Sequence, residues 1–416
     1  MDDKTKKYVY IQPEYVRQFQ CNGQKCDAKC CQRWSITIDS ATYKKYSRIK
    51  PKSKARYITD NIEFYKAQNI YRILHNAEGR CPFLTSDYLC SIQRQYGEEF
   101  LSNTCKTYPR VAYFLLDYYE RALTLTCPLA AELILSPLEH MSFEQIELDE
   151  FQHRANGLTK TPNLPRGLIE RFFTVQYASI SILQSENLSI DERLIVLGFY
   201  LDRLDELING SQLDEIENLS AVYSSEEFLN GEARRLIDTI EFDVNGYMRT
   251  MFKLLDSLYG ENSKFYRFNY RYLDAISDVL DISVDKNKGA SLSDLVKNYR
   301  RLDSARREFL DKNSIKLEHY LVNEFFLNLY PWKLGISISQ NYGAFVATYK
   351  ILELIALSLE VQWRKWHGND SEPPTEYQLP TTLSIFAMNV DHNQEYLNCV
   401  SEHIDGDILS IMKNLL

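Results

Sequence analysis

The 416-residue chain has little glycine and little proline, 15 and 12 residues. Long flexible linkers and glycine-rich phosphate loops are therefore not expected. No G-x-G-x-x-G follows a strand-like run, so a Rossmann-type donor site is unsupported. No stretch of 18 residues is apolar and free of charge. The nearest approach, residues 344–361, carries Lys350, Glu353 and Glu360 and reads as a buried helix, not a membrane span. The opening MDDKTKKYVYIQPEY lacks the apolar core of a secretory signal. There is no basic excess: 48 Lys and Arg stand against 57 Asp and Glu, a net charge of −9. That balance argues against nucleic acid as a partner and is compatible with a cationic one. These absences predict a cytoplasmic protein that engages neither membrane nor nucleic acid.

What the chain does have is aromatics and clustered cysteine. The 29 Tyr and 20 Phe fit a core with amphipathic rims, and a Tyr-lined channel fits them too. The nine cysteines are segregated: eight lie in the first 127 residues and Cys399 stands apart. Residues 21–31 read CNGQKCDAKCC and supply Cys21, Cys26, Cys30 and Cys31. Cys81, Cys90, Cys105 and Cys127 follow. In a reducing cytosol such clusters bind metal or act in catalysis more often than they form disulfides. Neighbouring side chains do not both face one core, so the Cys30–Cys31 pair suits an irregular loop wrapped around something. Structural zinc sites usually show two C-x2–4-C knuckles, and only one is present. An iron–sulfur cluster needs four thiolates and tolerates dispersed ligands. Iron–sulfur, zinc and packed structural thiols all stay open on spacing alone. Eight thiols exceed the four ligands of one site, so a second centre or non-ligating thiols must exist. The radical-SAM signature C-x3-C-x2-C is absent, because Arg33 stands where its third cysteine would be.

The segments between the cysteines are short. Trp34, Ile36 and Ile38 alternate with polar residues, a strand-like run, and Asp39 or Ser40 is placed to cap a helix after it. Residues 52–75 read as a helix or hairpin. SIQRQYG is a short helix ended by Gly97, and Ser102 opens another. Leu123, Leu125 and Cys127 alternate and predict a strand, after which Pro128 suits the first turn of a helix. From Leu164 onward the period is helical nearly throughout. A capping box runs from Ser189 to Glu192, and residues 344–363 read as the central helix of a bundle. Loops are expected at 286–290 and 368–374. The expectation is a mainly α fold. A cysteine-rich, metal-binding module with little β (residues 1–150) packs on an all-α helical C-terminal domain (residues 160–416).

The ordered string C-x4-C-x3-CC-x2-W, CPFL…LC-x-I, GEE-x-LS-x-TC-x2-YPR and LT-x-TCP, over about residues 19–135, resembles the flagellin lysine-N-methylase (FliB) family. Part of it also resembles putative zinc- or iron-chelating cysteine domains. Residues 318–332 (EHYLVNEFFLNLYPW) and 389–397 (NVDHNQEYL) resemble that family's helical C-terminal half more loosely; Asn323 and His392 fall in them. The resemblance implies a methyltransferase that moves methyl groups from S-adenosylmethionine to lysine side chains of flagellin. It also implies an iron–sulfur cluster, 4Fe–4S by type, on the N-terminal cysteines. The rival reading is a non-catalytic zinc or iron–sulfur module for binding or redox work.

Methyl transfer to lysine is a displacement at the sulfonium methyl, and the amine must arrive neutral although its ordinary pKa is about 10.4. A desolvated aromatic channel lowers that value, and a carboxylate or tyrosine accepts the proton. Candidate groups near the cysteines are Tyr108 to position the amine, Asp39 or the Glu98–Glu99 pair as base, and Arg110 to pair the donor's carboxylate. Each has a plain alternative: packing beside Cys105 for Tyr108, a solvated face for the acids, and a structural ion pair for Arg110.

Overall fold

A computed structural model describes residues 7–23, 25–26, 29–32, 34–148, 164–259, 270–282, 291–332, 337–368, 371–390, 394–404 and 406–416. The loop expected at 286–290 and His392 lie outside the described residues. The chain divides into two compact units. One comprises Met1–Leu133 with Ser142–Thr161, the other Ile134–Met141 with Pro162–Leu416.

Among its described residues the first unit mixes short helices with seven strands: β1 (Tyr8–Pro13), β2 (Thr37–Ile38), β3 (Ile62–Tyr65), β4 (Ile70–Ile73), β5 (Arg110–Leu115), β6 (Tyr118–Leu123) and β7 (Phe143–Leu148). Four of them form a sheet in the order β5-β6-β1-β7, in which β1 runs parallel to β6 and the other pairs are antiparallel. The other three form an antiparallel sheet in the order β2-β4-β3. Residues 52–75 are both things the sequence suggested, the helix Lys52–Thr59 followed by the β3–β4 hairpin.

Local chemistry sets the helix ends. Asp39 caps Ser40–Ser47, accepting the Thr42 N–H at 2.8 Å. Ser102 caps Asn103–Thr107. Gly97 ends Ser91–Tyr96 at φ +89°, where a Cβ would stand 2.3 Å from the Glu99 carboxylate. Pro128 does open the helix Pro128–Leu135. The strand expected through Cys127, however, stops at Leu123. The Thr124 hydroxyl accepts the Thr126 N–H at 3.3 Å, a local bond that turns the chain out of the ladder.

The second unit is helical, with no strand among its described residues. Its longest element, Ile338–His367, is buried along most of its first 22 residues and packs against Ile190–Asn209, Tyr270–Val279 and Asp303–Leu327. The capping boxes Ser189–Glu192 and Ser337–Gln340 open two of these helices. In the 368–374 loop, the described residues carry neither helix nor strand.

Candidate functional site

The cysteines of the first unit are drawn together by backbone pairing. The Cys81 N–H donates to the Cys31 carbonyl at 2.8 Å, beside a bridge between Gln32 and Arg80. A turn at Cys81 brings Leu84 opposite Cys90, and the Ser91 N–H donates to the Phe83 carbonyl at 2.8 Å. Cys105 sits on the helix capped by Ser102, whose hydroxyl accepts its N–H at 3.2 Å. Thr104 of that helix joins Thr37 of β2 at 2.7 Å. As a result Cys31, Cys81, Cys90 and Cys105 pack on one apolar cluster that contains Ile36, Ile38, Tyr46, Phe83 and Ile92. The Tyr46 hydroxyl crosses to the Phe100 carbonyl at 2.7 Å.

The adjacent pair straddles this cluster's edge. The Cys30 and Cys31 Sγ atoms are 4.0 Å apart, yet only Cys31 belongs to the cluster. Trp34 Nε1 donates to the Cys30 carbonyl. Cys21 is exposed, Cys26 is half-buried and Cys127 is buried at the start of Pro128–Leu135. None of these eight cysteines is in a disulfide. Burial pushes the Cys81 and Cys127 thiols up to about 12. Cys30 is raised by its bond to Cys31 and by burial. Burial also raises Cys21 and Cys90, and neighbouring thiols add to it. A metal would have to displace these protons.

The donor chemistry fits a thiolate-ligated centre, because four cysteines, one buried and three partly buried, pack on one apolar cluster inside one unit. It does not form a ready socket for a lone ion. Among the described residues no three Cys, His, Asp or Glu side chains are grouped to hold one. Four sulfurs around zinc, with bonds of about 2.3 Å, must crowd closely, whereas a multi-iron cluster spreads its thiolates apart.

The other sequence candidates lie in the same unit. Tyr108 shares a hydrogen bond of 3.0 Å with Thr126 and lies 5.9 Å, ring to ring, from Trp34. Arg110 donates to the Phe19 carbonyl at 3.2 Å and lies over the Phe19 ring. Burial lowers its pKa, while Glu98 and Cys21 oppose that. Asp39 accepts from the Thr42 hydroxyl at 2.8 Å and from the Asn103 N–H at 3.2 Å, besides capping its own helix. Burial pushes its carboxyl up, but these bonds win and hold it below the ordinary value. Asp39 therefore joins two helices, and a low carboxyl is a weak base.

A second polar constellation, not foreseen from the sequence, lies in the helical unit. Lys350 reaches Asp191 at 2.7 Å and Glu353 at 3.0 Å. Arg306 reaches Asp191 at 2.6 Å and also bonds Glu353. Burial pushes Asp191 up, yet Lys350 and Arg306 outweigh it and bring its carboxyl to about 2. The signal was present: Lys350 and Glu353 interrupt an apolar run at i, i+3. Nothing local pointed to Asp191 or Arg306 as their partners.

The loosely matching segment 318–332 is also built into the interior. Glu318 holds Arg193 at 2.7 Å and His140 at 2.6 Å, and both His319 ring nitrogens face carbonyl oxygens, those of Ile134 and Glu139. Asn323 is buried on the same helix.

Comparison with known proteins places the chain. The family model for the FliB lysine N-methylase C-terminal domain matches residues 176–416, more than half of the chain. That is the helical part, where the sequence motifs matched loosely. The flagellar biosynthetic protein FliU of Salmonella muenchen is 34% identical over 140 residues, 33% of this chain and 83% of that protein. The lysine-N-methylase of Salmonella typhimurium is 32% identical over 143 residues, 34% of this chain and 36% of the relative. That of Salmonella choleraesuis matches to the same extent, 32% over 143 residues. No solved structure matches the chain. The chain belongs to the FliB lysine N-methylase family, a family of methyltransferases.

Proposed function

We propose that the protein transfers methyl groups from S-adenosylmethionine to lysine side chains of flagellin. The observation that carries this reading is the family match over residues 176–416, supported by lysine-N-methylases among the relatives. Transfer requires a neutral amine in line with the sulfonium methyl, and the amine's proton leaves before or during attack. The aromatic content of the chain supplies apolar surface for that desolvation.

The cysteine unit holds an iron–sulfur cluster in this proposal, with Cys31, Cys81, Cys90 and Cys105 as its ligands. Their common packing on one apolar cluster supports that choice. When bound, such a cluster supplies a four-thiolate anchor that ties the CC segment, the 81–90 turn and the Asn103–Thr107 helix together. The methyl displacement itself moves no net electron, so the residues above bear on the fold of this unit first.

The test is incubation of the purified, anaerobically prepared chain with flagellin and isotope-labelled S-adenosylmethionine. Lysine residues gaining labelled methyl groups, read by peptide mass spectrometry, is the expected result. Unmodified flagellin under conditions where the chain is folded and metal-loaded would refute the reading.

A further inference from the structure

The net charge of −9 hides a split along the chain. Residues 1–133 carry 21 Lys and Arg against 14 Asp and Glu, so the acidic excess lies wholly in the remainder. Within that basic part the charge is concentrated again. Residues 40–59 contain seven cations, Lys44, Lys45, Arg48, Lys50, Lys52, Lys54 and Arg56, and no acid. They build the helices Ser40–Ser47 and Lys52–Thr59, which pack against each other. Tyr46, Ile49, Ala55 and Ile58 of this pair enter the apolar cluster. That pattern turns the polar positions outward, and all seven cations are exposed.

A run of charge is ordinarily a solvated face answered by neighbouring acids. Here the answer is incomplete. Among the described residues none of the seven pairs with a carboxylate, and the Lys45 ammonium donates to the Glu99 carbonyl oxygen at 3.0 Å. The acids that flank the pair or sit on segments packed against it are Asp39, Asp60, Glu63, Glu98 and Glu99. Asp39 is committed to the Thr42 and Asn103 N–H groups. Glu63 stands opposite Arg72 in the β3–β4 ladder. With Asp39, Asp60, Glu98 and Glu99 all set against the seven cations, three positive charges remain in excess.

A cavity of about 210 Å³ adjoins this face. It is lined by Lys54 and Tyr57 of the second helix, by Tyr96, and by Ile58, Phe83 and Ile92 of the cluster on which the cysteines pack. Small-molecule sites begin near about 300 Å³, so this one has room for a side chain and not for a whole ligand. The Tyr57 hydroxyl donates to the Pro82 carbonyl at 3.0 Å, which fixes the ring, yet the residue stays 56% exposed. Lys54 belongs to both the charged face and the cavity, so the two are continuous.

Cations around an apolar recess select among anionic partners. A polynucleotide satisfies the cations, but its bases stack on open aromatic faces, and this recess is walled by aliphatic groups as well. A bilayer takes apolar side chains that protrude, whereas here the apolar element is concave. An acidic protein segment with one apolar side chain meets both features. Resting on the methyl-transfer reading above, we propose that this face docks the protein substrate. An acidic stretch of flagellin lies along Lys44–Arg56 and places one apolar side chain beside Tyr57. The same cations repel lysine, so the residue to be methylated lies outside the docked stretch.

The experiment is binding of purified flagellin to the anaerobically prepared full-length chain at stepped salt, with methyl transfer measured in parallel. Affinity is expected to fall as salt shortens the Debye length, about 10 Å at 0.1 M. The triple variant Lys50→Glu/Lys52→Glu/Lys54→Glu changes only exposed side chains, and the first turn of a helix tolerates acidic residues. It is expected to bind flagellin at least about tenfold more weakly, with the loss falling on KM and not on kcat. Tyr57→Ala weakens binding and Tyr57→Phe does not. Flagellin binding that ignores salt, or that the triple variant leaves intact, overturns the proposal. So does a wild type that prefers single-stranded DNA or phosphatidylglycerol vesicles to flagellin and loses them in the triple variant. The two readings fail separately. A chain that docks flagellin through this face and transfers no methyl sinks the enzyme alone. Methylation with the same KM in wild type and triple variant sinks the docking surface alone.

Discussion

Lys350 and Asp191 meet at 2.7 Å across 159 residues of sequence, and the Lys350 side chain is only 2% exposed. A buried ammonium of this kind is tolerable only while its carboxylates remain. Replacing it breaks a four-charge network and leaves Asp191 and Glu353 sharing Arg306 alone. Lys350→Met is expected to lower stability by roughly 3–5 kcal/mol, the cost of stranding a buried charge. The urea midpoint at neutral pH reads this directly. A change within error would mean the network is dispensable.

The same network sets an acid limit. Asp191 has its carboxyl lowered to about 2, below the unfolded value of about 3.9. A depressed carboxyl contributes stability that is present above the unfolded value and lost as pH falls through the folded one. The stability gap between wild type and Asp191→Asn is therefore expected to be constant above about pH 4 and to shrink toward pH 2. Chemical denaturation at stepped pH measures it, and a gap that grows on acidification contradicts the assignment.

His140 works in the opposite sense. Burial lowers it, but bonds to Glu318 at 2.6 Å and Glu186 at 2.9 Å prevail and raise its pKa. A raised histidine stabilises fully below its unfolded value, near 6.5, and the gain is lost as pH rises through the folded value. Most of the effect comes from Glu318, because Glu186 is 77% exposed and screened by solvent. His140→Gln should thus cost more below pH 6.5 than in alkaline solution. Paired unfolding curves across neutrality check it; a gap that widens with pH would rule this out.

Asp39 separates a cap from a base. Asparagine caps helices as well as aspartate does, while alanine costs about 0.5–2 kcal/mol. Asp39→Asn keeps the cap on Thr42 but puts an NH2 group against the Asn103 N–H, so it is expected to lose some stability and keep methyl transfer, and Asp39→Ala to lose more stability. If Asp39→Asn folds normally but transfers no methyl, the carboxylate takes part in the chemistry after all.

For the cysteines, Cys81→Ser and Cys105→Ser in the anaerobic full-length chain are expected to lose most of the bound iron and its thiolate charge-transfer absorption. Cys399→Ser, remote from the others in sequence, should retain both. A colourless wild type with stoichiometric zinc would replace the cluster with the simpler metal.

Much of this architecture is written locally. Ser189 with Glu192, Pro128, Gly97 and Ser102 each mark a helix end through their own backbone chemistry, and each does so in the structure. The grouping of cysteines in the first unit was equally plain. What could not be read are relations between distant residues. Tyr10 lies beside Tyr119 in the parallel pairing of β1 with β6, and no local pattern encodes a partner that far away. The split of Cys30 from Cys31 likewise depends on which strand and turn pack beneath them. The pairing of Asp191 with Lys350 is of the same kind, because periodicity places a side chain on a face but does not say what that face meets.

The route of the chain has a consequence for anyone trimming it. Residues Ile134–Met141 belong to the helical unit, where His319 grips the carbonyls of Ile134 and Glu139, and only afterwards does the chain supply β7. That strand covers β1 from Tyr8 to Pro13. A fragment ending before residue 142 would expose six residues of β1 as a raw sheet border, a template for pairing with other copies. A soluble cysteine fragment therefore has to extend through Leu148, and shorter ones are expected to aggregate whatever metal they receive.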